Sequence, residues 1–100
     1  MDPALPELQI ADVVVPTAGR DADKWYYVVN MDDTFLYIAN GKDRTLDKPN
    51  RKKRKHAEKV LRSQTRVADK IRSGDKVLNS ELRRDLAYLS RELQSSNLGG

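Results

Sequence analysis

The chain has no cysteine. That excludes a disulfide framework, a thiolate metal site and a cysteine nucleophile, and it suits a reducing cytosol. Aromatic residues are scarce, with one Trp, one Phe and four Tyr among 100 residues, and only 38% of the chain is hydrophobic. A domain this short buries roughly two-thirds of its unfolded surface. Its core must therefore be small, with little room to surround a deep substrate cavity. No apolar run approaches the ~18 residues that a spanning helix needs. The opening stretch, Met1-Asp2-Pro3-Ala4-Leu5-Pro6-Glu7, lacks a basic head before an apolar segment and does not read as a secretory signal. A single cytoplasmic domain with no membrane association is the expectation.

What the chain has is charge, unevenly placed. The net charge is −4 over residues 1–23, −1 over 24–41, +6 over 42–56, +3 over 57–78 and zero over 79–100. The positive field centres on one short segment, which points to polyanionic partners more than the overall +4 does.

Hydrophobic patterning divides the chain into a strand-rich part and a helical part. Asp12-Val13-Val14-Val15 is a β-branched run ended by Pro16. Residues 17–24 read as a loop, 25–31 as an aromatic and β-branched strand, and Asp32-Asp33 as a tight connection. Residues 34–39 form the next strand, Asn40-Gly41 the left-handed backbone of a hairpin turn, and residues 44–46 a short strand leaving it. Residues 47–56 read as a loop or an extended edge, and 58–62 as either a closing strand or the start of a helix. Short strands at this spacing suggest a small barrel or curled sheet. Thr65 caps a helix over 66–73 that stops at Gly74, and Asn79 or Ser80 caps a second one. Leu82, Leu86, Leu89 and Leu93 form one apolar stripe on that second helix, fit to dock on the sheet; it is too short for a coiled coil, but it is the seam a weak dimer would use. The expected organisation is a flexible tail over 1–8, a barrel over 9–62, a helical extension over 63–96 and a frayed end over 97–100.

Arg51-Lys52-Lys53-Arg54-Lys55 is the strongest local signal. Five adjacent cations repel one another and gain by neutralising phosphates with release of counterions. Lys42, Arg44 and Lys48 extend the patch back toward the sheet. The bland alternative is a solvated linker. In the strand that begins at Trp25, alternation assigns Tyr26 and Val28 inward, so that Trp25 and Tyr27 emerge beside Lys24 as a stacking platform for unpaired bases. Equally, Trp25 can pack under the C-terminal helix. His56, the only histidine, has no second ligand partner and fits a surface group touching phosphate or base. The serines lack a His–Asp pairing and there is no Gly-rich phosphate loop, so no catalysis and no cofactor are expected.

The order of pieces carries a family resemblance. Asp12-Val13-Val14-Val15, Ala18-Gly19-Arg20-Asp21 and Tyr26-Tyr27-Val28-Val29 resemble the KOW motif, a strand–loop–strand of SH3-like barrels in ribosomal and transcription proteins. Phe35-Leu36-Tyr37-Ile38-Ala39-Asn40-Gly41, Lys48-Pro49-Asn50 with the basic run and His56, Ser73-Gly74-Asp75-Lys76-Val77 and Asn79-Ser80-Glu81-Leu82-Arg83 are similar to a bacterial KOW-containing group related to eukaryotic and archaeal large-subunit ribosomal proteins. Two positions depart from the motif: Ala11 and Asp23 stand where glycine is frequent, and loss of glycine removes easy access to positive φ. The resemblance implies a mostly β fold with α, a small SH3-like barrel followed by two C-terminal helices. It also implies a non-catalytic RNA-binding role near the ribosome, with ribosomal RNA and ribosomal proteins as partners. The expected RNA-binding residues are Arg44, Lys48, Arg51, Lys52, Lys53, Arg54, Lys55 and His56, with Arg20, Lys24 and Trp25 at the loop end. The alternatives are a protein–protein adaptor, using the barrel or the leucine-striped helix, and nonspecific DNA binding.

Overall fold

The computed structural model describes residues 7–19 and 22–98, and side chains as far as residue 94. Most of the expected N-terminal tail, Arg20 and the last two residues of the expected frayed end lie outside the described residues.

Five strands form one antiparallel sheet: β1 (Asp12–Pro16), β2 (Tyr26–Met31), β3 (Phe35–Ala39), β4 (Asn50–Lys53) and β5 (Ala57–Arg62). Their order is β4-β3-β2-β1-β5, so consecutive strands β4 and β5 lie at opposite edges. A single 3-10 turn of 3 residues, Arg54–His56, joins them. A flat sheet would hold those edges about 19 Å apart. The four backbone steps from Lys53 to Ala57 span at most about 14 Å even when extended, and the 3-10 turn shortens them further. The sheet therefore curls. Bulges at Val29 in β2 and Val60 in β5 help it bend, because each inserts a residue unmatched on its partner strand.

Curling gives the sheet an inner and an outer face, and alternation along each strand fills both. Val14, Tyr26, Val28, Leu36 and Ile38 pack inside, with Leu8 at the edge of the cluster. Leu8 and the Glu7 carbonyl, which accepts from Arg62 at 3.2 Å, are tied to the curled sheet rather than belonging to a loose tail. Outside, Ala11, Val13, Tyr27 and Ala39 meet the helices α1 (Arg66–Ser73) and α2 (Asn79–Leu98) through Ala68, Leu82 and Leu86. The leucine stripe docks on the sheet through Leu82 and Leu86, and only Leu93 of the four is well exposed, at 38%. Two of the residues expected in a dimer seam are thus buried within the chain itself.

The helices begin and end as their sequences dictate. Thr65 Oγ1 accepts from the Ala68 amide at 3.2 Å, and Gly74 closes α1 at φ 76°. In α2 the capping group is Glu81, which accepts from the Leu78 amide at 3.0 Å; Asn79 spends its side-chain oxygen on the Leu46 amide instead. α2 runs on to Leu98, past the expected end at 96.

Two expectations for the sheet need correction. The Asn40-Gly41 pair does not make a two-residue hairpin, and residues 44–46 are not a strand. The Asn40 side-chain oxygen captures the amides of Lys42, Asp43 and Arg44 at 3.0–3.1 Å, which organises a loop over residues 40–49. Gly41, at φ 79°, lets that loop touch the start of α2: a Cβ there would fall 2.2 Å from the Asn79 carbonyl oxygen. Residues 50–53 are a true edge strand, and residues 57–62 are strand rather than helix.

A buried polar cluster fastens the helices to the sheet. The Tyr27 hydroxyl meets the Asp85 carboxylate and lies 2.8 Å from Ser63 Oγ and 3.3 Å from Thr65 Oγ1; Thr65 also donates to Asp85 at 2.7 Å. Burial, then the bond to Asp85, pushes the phenol far above its ordinary value near 10.0. A raised pKa of this kind contributes stability below the ordinary value and loses it as pH rises beyond it. Tyr27→Phe should cost about 1–3 kcal/mol at neutral pH. Urea unfolding at stepped pH should show the parent losing stability above pH ~10, by up to about 1.4 kcal/mol per pH unit, and the variant losing less.

Candidate functional site

The structure sorts the cations by whether the chain neutralises them itself. Asp12, buried at 0% exposure on β1, holds Arg62 Nε at 3.1 Å and Lys59 Nζ at 3.8 Å. Lys70 pairs with Glu81 at 2.8 Å, an ion pair that joins α1 to α2 and, with the Leu78 amide, holds the Glu81 carboxyl below its usual range. Arg72 pairs with Asp69 at 3.2 Å. Lys24 pairs with Asp43 at 3.2 Å. Among the described residues no salt bridge engages Arg51, Lys52, Lys53, Arg54 or Lys55.

Strand pairing fans the basic run out in different directions. Lys52 lies opposite the buried Leu36, on the inner side, and its Nζ reaches the Ala18 carbonyl at 3.4 Å in the β1–β2 loop. Arg51 and Lys53 lie opposite Tyr37 and Phe35 on the outer side, and both are exposed. The Arg51 guanidinium stacks 4.4 Å over the Phe35 ring. Arg54 turns back to donate to the Asp32 carbonyl at 3.3 Å, whereas Lys55 and His56 are exposed at the corner. The run is thus a ridge of Arg51, Lys53 and Lys55 with His56 beside it. Lys52 and Arg54 are engaged with the chain's own carbonyls.

The remaining expected residues sit in the loops. Lys48 is exposed and Arg44 half-buried in the loop that feeds β4; the Arg44 carbonyl accepts from the amides of Asn40 and Gly41 at 2.9 and 3.0 Å. Lys24, Trp25, Lys42 and Arg83 line an open cleft of ≈ 560 Å³ beside α2, together with Asp23 and Asp43. Here the expected stacking platform needs correction. Tyr27 has 0% exposure beneath the helices, and Trp25 is half-buried against the same cluster, because α1 and α2 cover that part of the outer face. The assignment of Tyr26 and Val28 to the interior stands.

Phe35 and Tyr37 are the aromatic residues that the strand reading passed over. Their signal was present in the alternation: Leu36 and Ile38 go in, so Phe35 and Tyr37 go out. An acidic turn adjoins them. Asp32 Oδ1 accepts from the Thr34 and Phe35 amides at 2.9 and 2.7 Å, and these bonds hold its carboxyl below the usual range.

Both positions where the KOW motif commonly has glycine adopt the left-handed conformation without it, Ala11 at φ 72° and Asp23 at φ 75°. Ala11 is anchored by its buried methyl and by its amide, which donates to the Val28 carbonyl at 2.7 Å. Asp23 is exposed.

No family model matches the chain, and no curated protein matches it. Among the described residues no helix is long and apolar enough to cross a membrane.

The conformation at Asp23 is testable by substitution. Asp23→Gly should leave stability within about 0.5 kcal/mol of the parent, whereas Asp23→Val should cost about 1–2 kcal/mol, because branching at Cβ opposes positive φ. Thermal unfolding of the pair measures the contrast. Equal effects would mean that the backbone does not hold this conformation in solution.

Proposed function

We propose that the protein is a non-catalytic RNA-binding domain of the SH3-like KOW type, acting in association with the ribosome or translation. Five short antiparallel strands in the order β4-β3-β2-β1-β5, closed through one 3-10 turn, support the SH3-like reading. Left-handed backbone at both expected glycine positions supports the KOW reading. The observation that carries the function is the ridge of Arg51, Lys53 and Lys55. It projects from a firm edge strand and its corner, and among the described residues no salt bridge neutralises it. Cations fixed on a strand lose less side-chain freedom on meeting phosphates than cations on a loose linker. They bind by displacing the counterions of a polyanion. Lys48 extends the ridge on the loop side.

A protein-binding role is the second reading. Its supporting observation is the exposure of Tyr88 at 48% and Leu93 at 38% on α2.

The salt dependence of binding to a structured RNA tests the first reading. Replacing Arg51, Lys53 and Lys55 together with Ala should weaken binding across RNA sequences and flatten the log–log salt slope by about 2 to 3 units. Replacing Lys52 alone should change the slope by less than the loss of any one ridge cation. A slope unaltered in the triple variant would reject the ridge as the RNA site.

A further inference from the structure

Phosphate-binding cations do not distinguish paired from unpaired nucleic acid, but the surface around them does. Phe35 and Tyr37 are two residues apart on β3 and share its outer face at a spacing of about 7 Å. Each lies opposite a cation, Lys53 and Arg51 respectively. Both rings are partly exposed, and neither belongs to the helix-packed cluster. The Arg51 guanidinium sits 4.4 Å over the Phe35 ring, so a base arriving there meets the guanidinium together with the ring. Beside this face, Lys53, Arg54 and Lys55 line a hollow of ≈ 370 Å³ with Asp33 and Thr34.

A phosphate gains from the cations alone. A base gains from the rings as well, because its π-face stacks on aromatic and guanidinium planes. A duplex keeps those faces hidden. Resting on the RNA-binding reading above, we infer that the outer face of β3 and β4 takes unpaired nucleotides of a single-stranded or looped RNA segment, with bases on Phe35 and Tyr37 and the adjoining phosphates on Lys53 and in the hollow lined by Arg54 and Lys55. The acidic turn fits this division. Asp32, whose carboxyl is held below its usual range by the Phe35 and Thr34 amides and by a bond from Tyr37, sets an acceptor beside the rings. It can accept from the amino group of a base edge.

The test compares an unstructured oligouridine with an RNA duplex of equal phosphate number at fixed salt, using the whole chain. The parent should bind the oligouridine more tightly. The double variant Phe35→Leu/Tyr37→Leu, with its fold checked by circular dichroism, should lose about tenfold or more on the oligouridine and less than twofold on the duplex. Should that variant fail to fold, photocrosslinking of 5-iodouridine RNA to the parent chain decides, with adducts expected at Phe35 or Tyr37. Equal affinity of the parent for both RNAs, equal weakening of both by the variant, or adducts confined to the loops would overturn this inference alone. Absence of binding to either RNA at low salt would overturn the RNA-binding reading and this inference with it.

Discussion

The 3-10 turn between β4 and β5 is too short to cross a flat five-strand sheet, and the layout of the molecule follows from that constraint. Once the sheet curls, its strands have an inside and an outside. The inside is largely apolar, and Val14, Tyr26, Val28, Leu36 and Ile38 fill it. The outside is larger than two helices can cover. α1 and α2 take the part over Val13, Tyr27 and Ala39, and the part over Phe35, Tyr37, Arg51 and Lys53 remains open. The same turn carries Arg54, Lys55 and His56. Closure and the cationic corner are therefore one piece of chain.

Two polar devices allocate the remaining groups. Tyr27 reaches through the apolar layer to Asp85, Ser63 and Thr65, which gives the helices a directional contact in addition to burial. Directional bonds fix where α2 lies, and greasy contact alone would let it slide. Asp12 does the corresponding work on the opposite edge strand, since it engages Lys59 and Arg62 of β5. The acid on β1 thereby removes positive charge from β5 and leaves the strong field on β4.

Much of this layout could be read from residues, and the parts that could not have physical reasons. β1 to β3 announce themselves by β-branched and aromatic alternation, and α1 by Thr65 and Gly74. β4 does not, because Asn-Arg-Lys-Lys has no hydrophobic period; it is a strand only because β3 offers it a partner. Asn40-Gly41 mimics a hairpin turn, but the Asn40 side chain binds three amides two to four residues ahead, a local alternative to the hairpin, and Gly41 docks on Asn79 of α2, a contact that local propensity does not see. Tyr27 was misplaced because the alternation rule assumes one wet face. In this sheet β1 and the first half of β2 are dry on both sides, so period-two patterning says which residues share a face and not which face meets water. The basic run was legible as charge but not as direction. Only the register separates Lys52, which folds inward onto the β1–β2 loop, from Arg51 and Lys53.

Among the described residues β4 pairs with β3 alone and stands at the edge of the sheet. Lysine and arginine on such an edge keep sister chains from adding a strand there, because like charges would meet. That protection is electrostatic and therefore conditional. Any polyanion that neutralised Arg51 and Lys53 would also silence the repulsion, and copies crowded along it would lose that barrier. Edge-to-edge pairing would cost least in that state, so the protection of this edge lasts only while its charges stay unscreened.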